Sequence, residues 1–287
     1  MRRIKLTLEY DGTDFKGWQV QSGERAGEGE SSTRTVQGAV ERALRRVCGQ
    51  PIRIVGAGRT DAGVHALGQV ASFLLPDEVT IATAELCQAL NANLDDDVSA
   101  VTAEEVDMDF HACRDATGKI YSYALFTRRF RSALLRRTHW HVRFPLDVDR
   151  MRAAAPALVG EHDFTSFASK LNDIQARRAE DGKRALETVR EIKRIEIVDD
   201  PLRPGRHVIY VEGTGFLYQM VRTIAGSLVD VGRGHRPVEW LAEALAARDR
   251  RQAGPTAPPQ GLCLERVFYD EARHTKAHNE NTHEGAE

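Results

Sequence analysis

One short stretch concentrates the residues that could do chemistry. Gly56-Ala57-Gly58-Arg59-Thr60-Asp61-Ala62-Gly63-Val64-His65-Ala66-Leu67-Gly68-Gln69-Val70 sets four glycines and three alanines around one arginine, one aspartate and one histidine. With few side chains in the way the backbone can approach a ligand closely. A lone carboxylate among small neighbours suits a nucleophile or a base. A plainer reading stays open at this point, with Thr60-Asp61-Ala62-Gly63 an Asx-type turn and His65 a satisfied core imidazole. The glycines do not make a dinucleotide fingerprint: Gly56 and Gly58 match its first pair, but Asp61 holds the third place. No phosphate-loop lysine follows either, which argues against a nucleotide-cofactor loop.

The elements that must position this stretch are written in the periodicities. Ile4, Leu6, Leu8 and Tyr10 alternate with polar residues, a half-buried strand ended by Asp11-Gly12. Ser22 to Arg34 is polar and reads as a mobile loop. Thr35 is a helix N-cap, Val36, Val40, Leu44 and Val47 recur at helical spacing, and Gly49 stops the helix. Strands are expected over 52–55, 70–75 and 98–101, with a helix over 82–90. The second half repeats the theme: strand 120–126, helix 148–159, strands 189–198 and 208–211, and a helix whose face is Leu217, Met220, Val221, Ile224 and Leu228, with Arg222 displaced from it. Pro237 opens a helix with Trp240, Leu241 and Leu245, and strand 262–269 closes the chain. Two α+β halves are the simplest architecture, 1–112 and 113–270. Residues 271–287 have nothing to bury and are expected to be a disordered acidic tail.

The chain has 287 residues, 41% hydrophobic and 29% charged. That length accommodates one large domain or two moderate ones. No apolar run approaches the roughly 20 residues of a membrane helix, and the basic N-terminus passes into strand pattern instead of a signal-peptide stretch. A cytoplasmic location is therefore expected. Cys48, Cys87, Cys113 and Cys263 lie far apart with no C-x-x-C pair, which disfavours both zinc and a disulfide framework. The net charge is −2. The segment 270–287 carries five acids against two bases, so the body before it has 38 bases and 37 acids, a net +1. Binding a polyanion therefore requires clustered bases. Arg128-Arg129-Phe130-Arg131, Arg136-Arg137 and Arg177-Arg178 with Lys183-Arg184 are such clusters, able to track phosphates or to form a solvated face.

Eight blocks in order resemble the TruA family of tRNA pseudouridine synthases. They are Glu9-Tyr10-Asp11-Gly12-Thr13-Asp14-Phe15-Lys16-Gly17-Trp18-Gln19 with Thr35-Val36-Gln37; Gly58 to Ala66 with Gly68-Gln69-Val70; Leu90-Asn91-Ala92-Asn93-Leu94; Phe110-His111-Ala112; Tyr121-Ser122-Tyr123; Gly160-Glu161-His162-Asp163-Phe164-Thr165-Ser166-Phe167; Met220 to Gly226; and Gly261-Leu262-Cys263-Leu264. The resemblance implies an α+β pseudouridine-synthase fold, two similar halves sharing an antiparallel sheet around a central cleft. It implies a homodimer that isomerises uridine to pseudouridine in the anticodon arm of tRNA, at positions 38–40, with no cofactor and no metal. Asp61 falls on the family's catalytic aspartate, Tyr121 on its active-site tyrosine, and Arg222 on the arginine paired with that aspartate. Arg59 falls on an arginine tied to RNA binding and base extrusion, and Leu262 on an apolar residue beside the site. His65 is assigned a packing or phosphate role.

Those roles are chemically coherent. Breaking the glycosidic bond and rejoining at C5 needs an ionised carboxylate that attacks ribose or base, or takes a sugar proton, and all three routes stay open. A carboxylate in a dry pocket would take up a proton unless a guanidinium stood beside it. A stacked base must be removed from its stack before it can react, and an aromatic face can then receive it. Alone, Tyr121 would read as a strand core residue and Arg222 as a helix-surface arginine. The chain departs from the family in its long 22–34 stretch, in Cys113 following Phe-His-Ala with Arg114 one later, and in the charged segment 166–187. Other uridines in tRNA or structured RNA, or RNA binding without catalysis, are the competing functions.

Overall fold

The computed structural model describes residues 1–19 and 34–270. The loop expected over 22–34, apart from Arg34, and the tail expected over 271–287 lie outside the described residues. In chain order the elements are β1 (Arg2–Tyr10), α1 (Val36–Cys48), β2 (Val55–Gly56), β3 (His65–Leu75), α2 (Thr83–Asn91), β4 (Val98–Val106), β5 (Ala116–Thr127), β6 (Trp140–Val142), α3 (Val148–Ala154), β7 (Gly160–Asp163), α4 (Leu171–Glu180), β8 (Val189–Asp199), β9 (Arg206–Gly213), α5 (Met220–Gly232), α6 (Trp240–Ala246) and β10 (Leu262–Tyr269).

All ten strands join one sheet, ordered β4-β1-β3-β10-β5-β9-β8-β7, with β2 beside β3 and β6 beside β5. Pairing is antiparallel except where β10 meets β3 and β6 meets β5. The fold is thus α+β on an antiparallel-dominated sheet. β10, the last strand among the described residues, sits between β3 and β5 and carries the sheet continuously from the first elements to the later ones. Tyr10, Ala66, Leu264, Tyr121 and Val211 are successive cross-strand partners, so one row of side chains crosses the middle of the sheet. Leu262 pairs with Tyr123 two residues along, which places it on the face that carries Tyr121.

Sequence expectations and structure agree where local signals are strong. Thr35 caps α1 by accepting the Gly38 N–H, and Gly49 ends it at φ 70°. They differ where tertiary pairing decides. Only Val55 of the 52–55 stretch enters a strand. β3 begins at His65, inside the glycine-rich stretch, because Cys263 of β10 pairs with it in parallel. The helix expected over 148–159 stops at Ala154, and a 3-10 turn over Ala155–Leu158 follows, in which Pro156 supplies no helical N–H. α4 was not expected, since its charged sequence shows no apolar stripe.

Candidate active site

Asp61 opens a tight turn in which the Val64 N–H donates to the Asp61 carbonyl at 3.2 Å. Gly63 occupies the third place at φ 78°, a conformation that glycine adopts without steric cost. The Asp11–Trp18 segment clamps this turn through its backbone: Gly63 N–H donates to Phe15 O at 3.3 Å and Trp18 N–H to Thr60 O at 3.1 Å. Gly12 lies so close beneath that a Cβ there would stand 1.9 Å from the Val64 carbonyl oxygen. These contacts account for the pairing of the two motifs in the sequence, since one is the seat of the other.

Arg222, on the first turn of α5, reaches the turn from the opposite side. Its Nη1 donates to Asp61 Oδ2 at 2.8 Å, and both side chains are largely buried, 11% and 18% exposed. The second arm of the guanidinium is also fixed, because Nε donates to the Ala257 carbonyl at 2.8 Å. In return the Ala257 N–H donates to the Arg222 carbonyl at 3.1 Å. Gln219, directly before α5, is held at φ 60°, a left-handed conformation that costs a non-glycine residue roughly 1–2 kcal/mol. Such strain is a feature of functional segments. The helix therefore begins under constraint one turn before the arginine it presents.

Tyr121 is buried, and its ring meets Phe216 edge to face, centroids 5.2 Å apart. Burial pushes its phenol pKa well up, with Tyr10 and Asp61 adding to the shift. Tyr218, two residues before α5, has its phenol pKa raised by partial burial and by Asp61, with Arg222 opposing the shift. Tyr123 is pinned by its hydroxyl to the Pro258 carbonyl at 2.8 Å. Lys119 donates from Nζ to the Ala57 carbonyl at 3.0 Å, bracing the backbone between β2 and the Asp61 turn, and burial lowers its pKa. Tyr10 holds Thr60 through their hydroxyls at 2.8 Å.

The structure therefore brings together three residues singled out in the sequence, Asp61, Arg222 and Tyr121, with Leu262 on the same sheet face. Arg59 is exposed beside them. His65 is engaged on both ring nitrogens: Nδ1 accepts from the Gly12 N–H at 3.1 Å and Nε2 donates to the Arg137 carbonyl at 2.8 Å. That arrangement favours the packing role of the two expected for it. Phe216, Ala257 and Lys119 were not read from the sequence. The Gly213-Thr214-Gly215-Phe216 run before a helix was the one available signal for Phe216, while a backbone carbonyl such as that of Ala257 leaves none. Among the described residues no group of three His, Cys, Asp or Glu side chains could hold a metal, and no helix is long and apolar enough to cross a membrane.

A largely buried carboxylate bonded to a fixed guanidinium thus lies near the Tyr121–Phe216 aromatic pair at the middle of the sheet. The family described as tRNA pseudouridine synthase matches residues 7–114 and 154–270. Similar chains include a tRNA pseudouridine synthase A of Myxococcus xanthus, 47% identical over 94% of this chain and 92% of that one. Those of Solidesulfovibrio magneticus, 47% identical over 94% and 92%, and Acetivibrio thermocellus, 40% identical over 94% and 100%, cover as much. The chain belongs to the tRNA pseudouridine synthase family and is an isomerase whose substrate is tRNA.

Proposed function

We propose that the chain converts uridine to pseudouridine at positions 38–40 in the anticodon arm of tRNA, as a homodimer, with Asp61 as its essential carboxylate. The observation that carries this reading is the 2.8 Å Asp61–Arg222 pair, largely withdrawn from water and fixed from both sides. The reaction breaks the N1–C1′ bond, forms C5–C1′, releases the C5 proton and returns a proton to N1, so it is balanced without oxidant, cofactor or metal. Arg222, bonded to both Asp61 and the Ala257 carbonyl, fixes the carboxylate's position and stands beside it as its counter-charge. Tyr121 offers its ring to the extruded uracil, and the raised phenol pKa keeps its hydroxyl protonated, so in the resting site it is a face and a donor and not a standing base.

Arg59, exposed at the rim, contacts RNA and helps hold the base out of its stack, and Leu262 packs beside the uracil. His65 serves substrate binding indirectly, by fixing Gly12 and the Arg137 carbonyl. The halves 1–112 and 113–270 each supply one wall, the first Asp61 and the second Tyr121 and Arg222. Unmodified tRNA carrying C5-tritiated uridine should release tritium to water, and sequencing of the product should place pseudouridine at positions 38–40. Release with modification elsewhere in the tRNA would overturn the positional part alone, and no release would overturn the whole reading.

A further inference from the structure

The segment from Arg128 to Arg137 leaves the sheet after β5 and returns before β6, and each end is staked by a histidine. His141 Nε2 donates to the Arg128 carbonyl at 2.7 Å, its ring stacked on Phe126 with centroids 4.6 Å apart. At the other end His65 Nε2 donates to the Arg137 carbonyl at 2.8 Å. The Arg137 side chain pairs with Asp14 at 3.3 Å and Asp11 at 3.6 Å. Asp14 adjoins Phe15, whose carbonyl accepts from Gly63 in the catalytic turn. The arm is thus fixed to the seat of Asp61.

Between the stakes the arm presents what a soluble surface ordinarily avoids. Phe130 is 68% exposed and Leu134 90% exposed. Arg128, Arg129, Arg131 and Arg136 are all exposed, and none has a carboxylate at ion-pair distance among the described residues. The Arg129 guanidinium lies 5.2 Å from the Phe130 ring centre, a ready-made cationic and aromatic pair. Unpaired arginines alternating with exposed apolar side chains match single-stranded nucleic acid, whose phosphates and base faces alternate in the same way. A body of net charge +1 needs such a local cluster to hold a polyanion.

Resting on the tRNA reading above, we infer that residues 128–137 form a docking arm for an unpaired stretch of RNA next to the target uridine, with Phe130 and Leu134 against bases and the arginines on phosphates. The test compares the full-length parent, Phe130→Ala/Leu134→Ala, Arg129→Gln/Arg131→Gln and Phe130→Trp by tritium release from tRNA, by binding across salt concentrations and by sedimentation. The double alanine variant should raise KM about tenfold with kcat within about twofold, since each base–aromatic stack lost is of that order, and Phe130→Trp should keep the parent KM. The double glutamine variant should make the slope of log K against log salt shallower by about 1.4, two single-strand phosphate contacts. KM and slope both at parent values would overturn the inference. So would a change of oligomeric state with an unchanged salt slope, which would assign the arm to a second copy of the chain. Because parent turnover is measured alongside, failure of the arm and failure of the isomerase reading give different results.

Discussion

Asp61 and Arg222 meet at 2.8 Å, yet they are held by partly different means. The aspartate side is built from backbone on backbone, with Gly12, Phe15 and Trp18 closing on a turn through main-chain contacts that leave no room for a Cβ. The arginine side has a close approach of its own, since a Cβ at Gly226 of α5 would stand 1.8 Å from the Pro255 carbonyl oxygen, and it adds bonds from side chains to backbone. Ser227 Oγ donates to Thr223 O at 2.8 Å and accepts from Gly254 N–H at 2.9 Å, and Arg222 Nε reaches Ala257 O. A steric seat fails abruptly when filled, because an interior at crystal-like density has nowhere to move. A hydrogen-bonded seat loosens in steps of about 1 kcal/mol per bond. The difference teaches that the carboxylate's turn is held chiefly by backbone contacts, whereas its counter-charge is aimed by side-chain hydrogen bonds added to a steric contact.

The largest effect should come from filling the steric seat. Gly12→Ala would push a methyl against the Val64 carbonyl, and overpacking of this kind costs typically 1–3 kcal/mol and more when backbone must shift. The variant should lose both activity and several degrees of melting temperature, read by calorimetry and tritium release. Normal values of both would show that the turn yields easily and would erase the contrast. Next in size, Arg222→Leu should lower kcat by at least about a hundredfold, because the carboxylate loses both its counter-charge and the group that orients it. A kcat near the parent value would show that the reaction does not depend on the pair.

Ser227→Ala should act on the arginine side alone, costing about 1–3 kcal/mol in urea unfolding while kcat drops only a few-fold. A loss of activity as complete as that of Gly12→Ala would make the two sides equivalent. The smallest effect lies away from both. Burial, with Arg206 adding to it, pushes the pKa of His139 down to about 4, below the ordinary 6.5. A depressed folded pKa means stability that is present above pH 6.5 and is lost as pH falls toward 4. The parent should therefore lose on the order of 1–2 kcal/mol more than His139→Gln between pH 7 and pH 5. Equal losses would show that His139 charges freely in the folded chain.

The same contrast explains what the sequence disclosed. The steric side was legible because close approach demands particular residue types: Gly12, Gly17 and Gly63 stand in motifs, and Asp61 stands out among small neighbours. Arg222 stood out only through the family resemblance, since an arginine off the apolar face of its helix reads by itself as a surface residue. The atoms that aim it were not legible, because a carbonyl such as that of Ala257 can belong to any residue. Phe216 was hidden for a related reason, as its meaning depends on β9 bringing it against Tyr121 across the sheet. The start of β3 at His65 depended on β10, about two hundred residues later in the chain. α4 carried too few apolar residues to show a helical stripe.

Asp61→Asn changes one oxygen for one nitrogen and keeps the shape of the side chain, so it isolates the negative charge that the whole seat serves. Tritium release from C5-labelled tRNA and tRNA affinity should be measured on the same preparation. Release should fall below detection while affinity stays within several-fold of the parent, since binding rests mainly on phosphate contacts made elsewhere. Turnover retained in the asparagine variant, with folding and binding intact, would contradict the assignment of Asp61 as the reacting carboxylate.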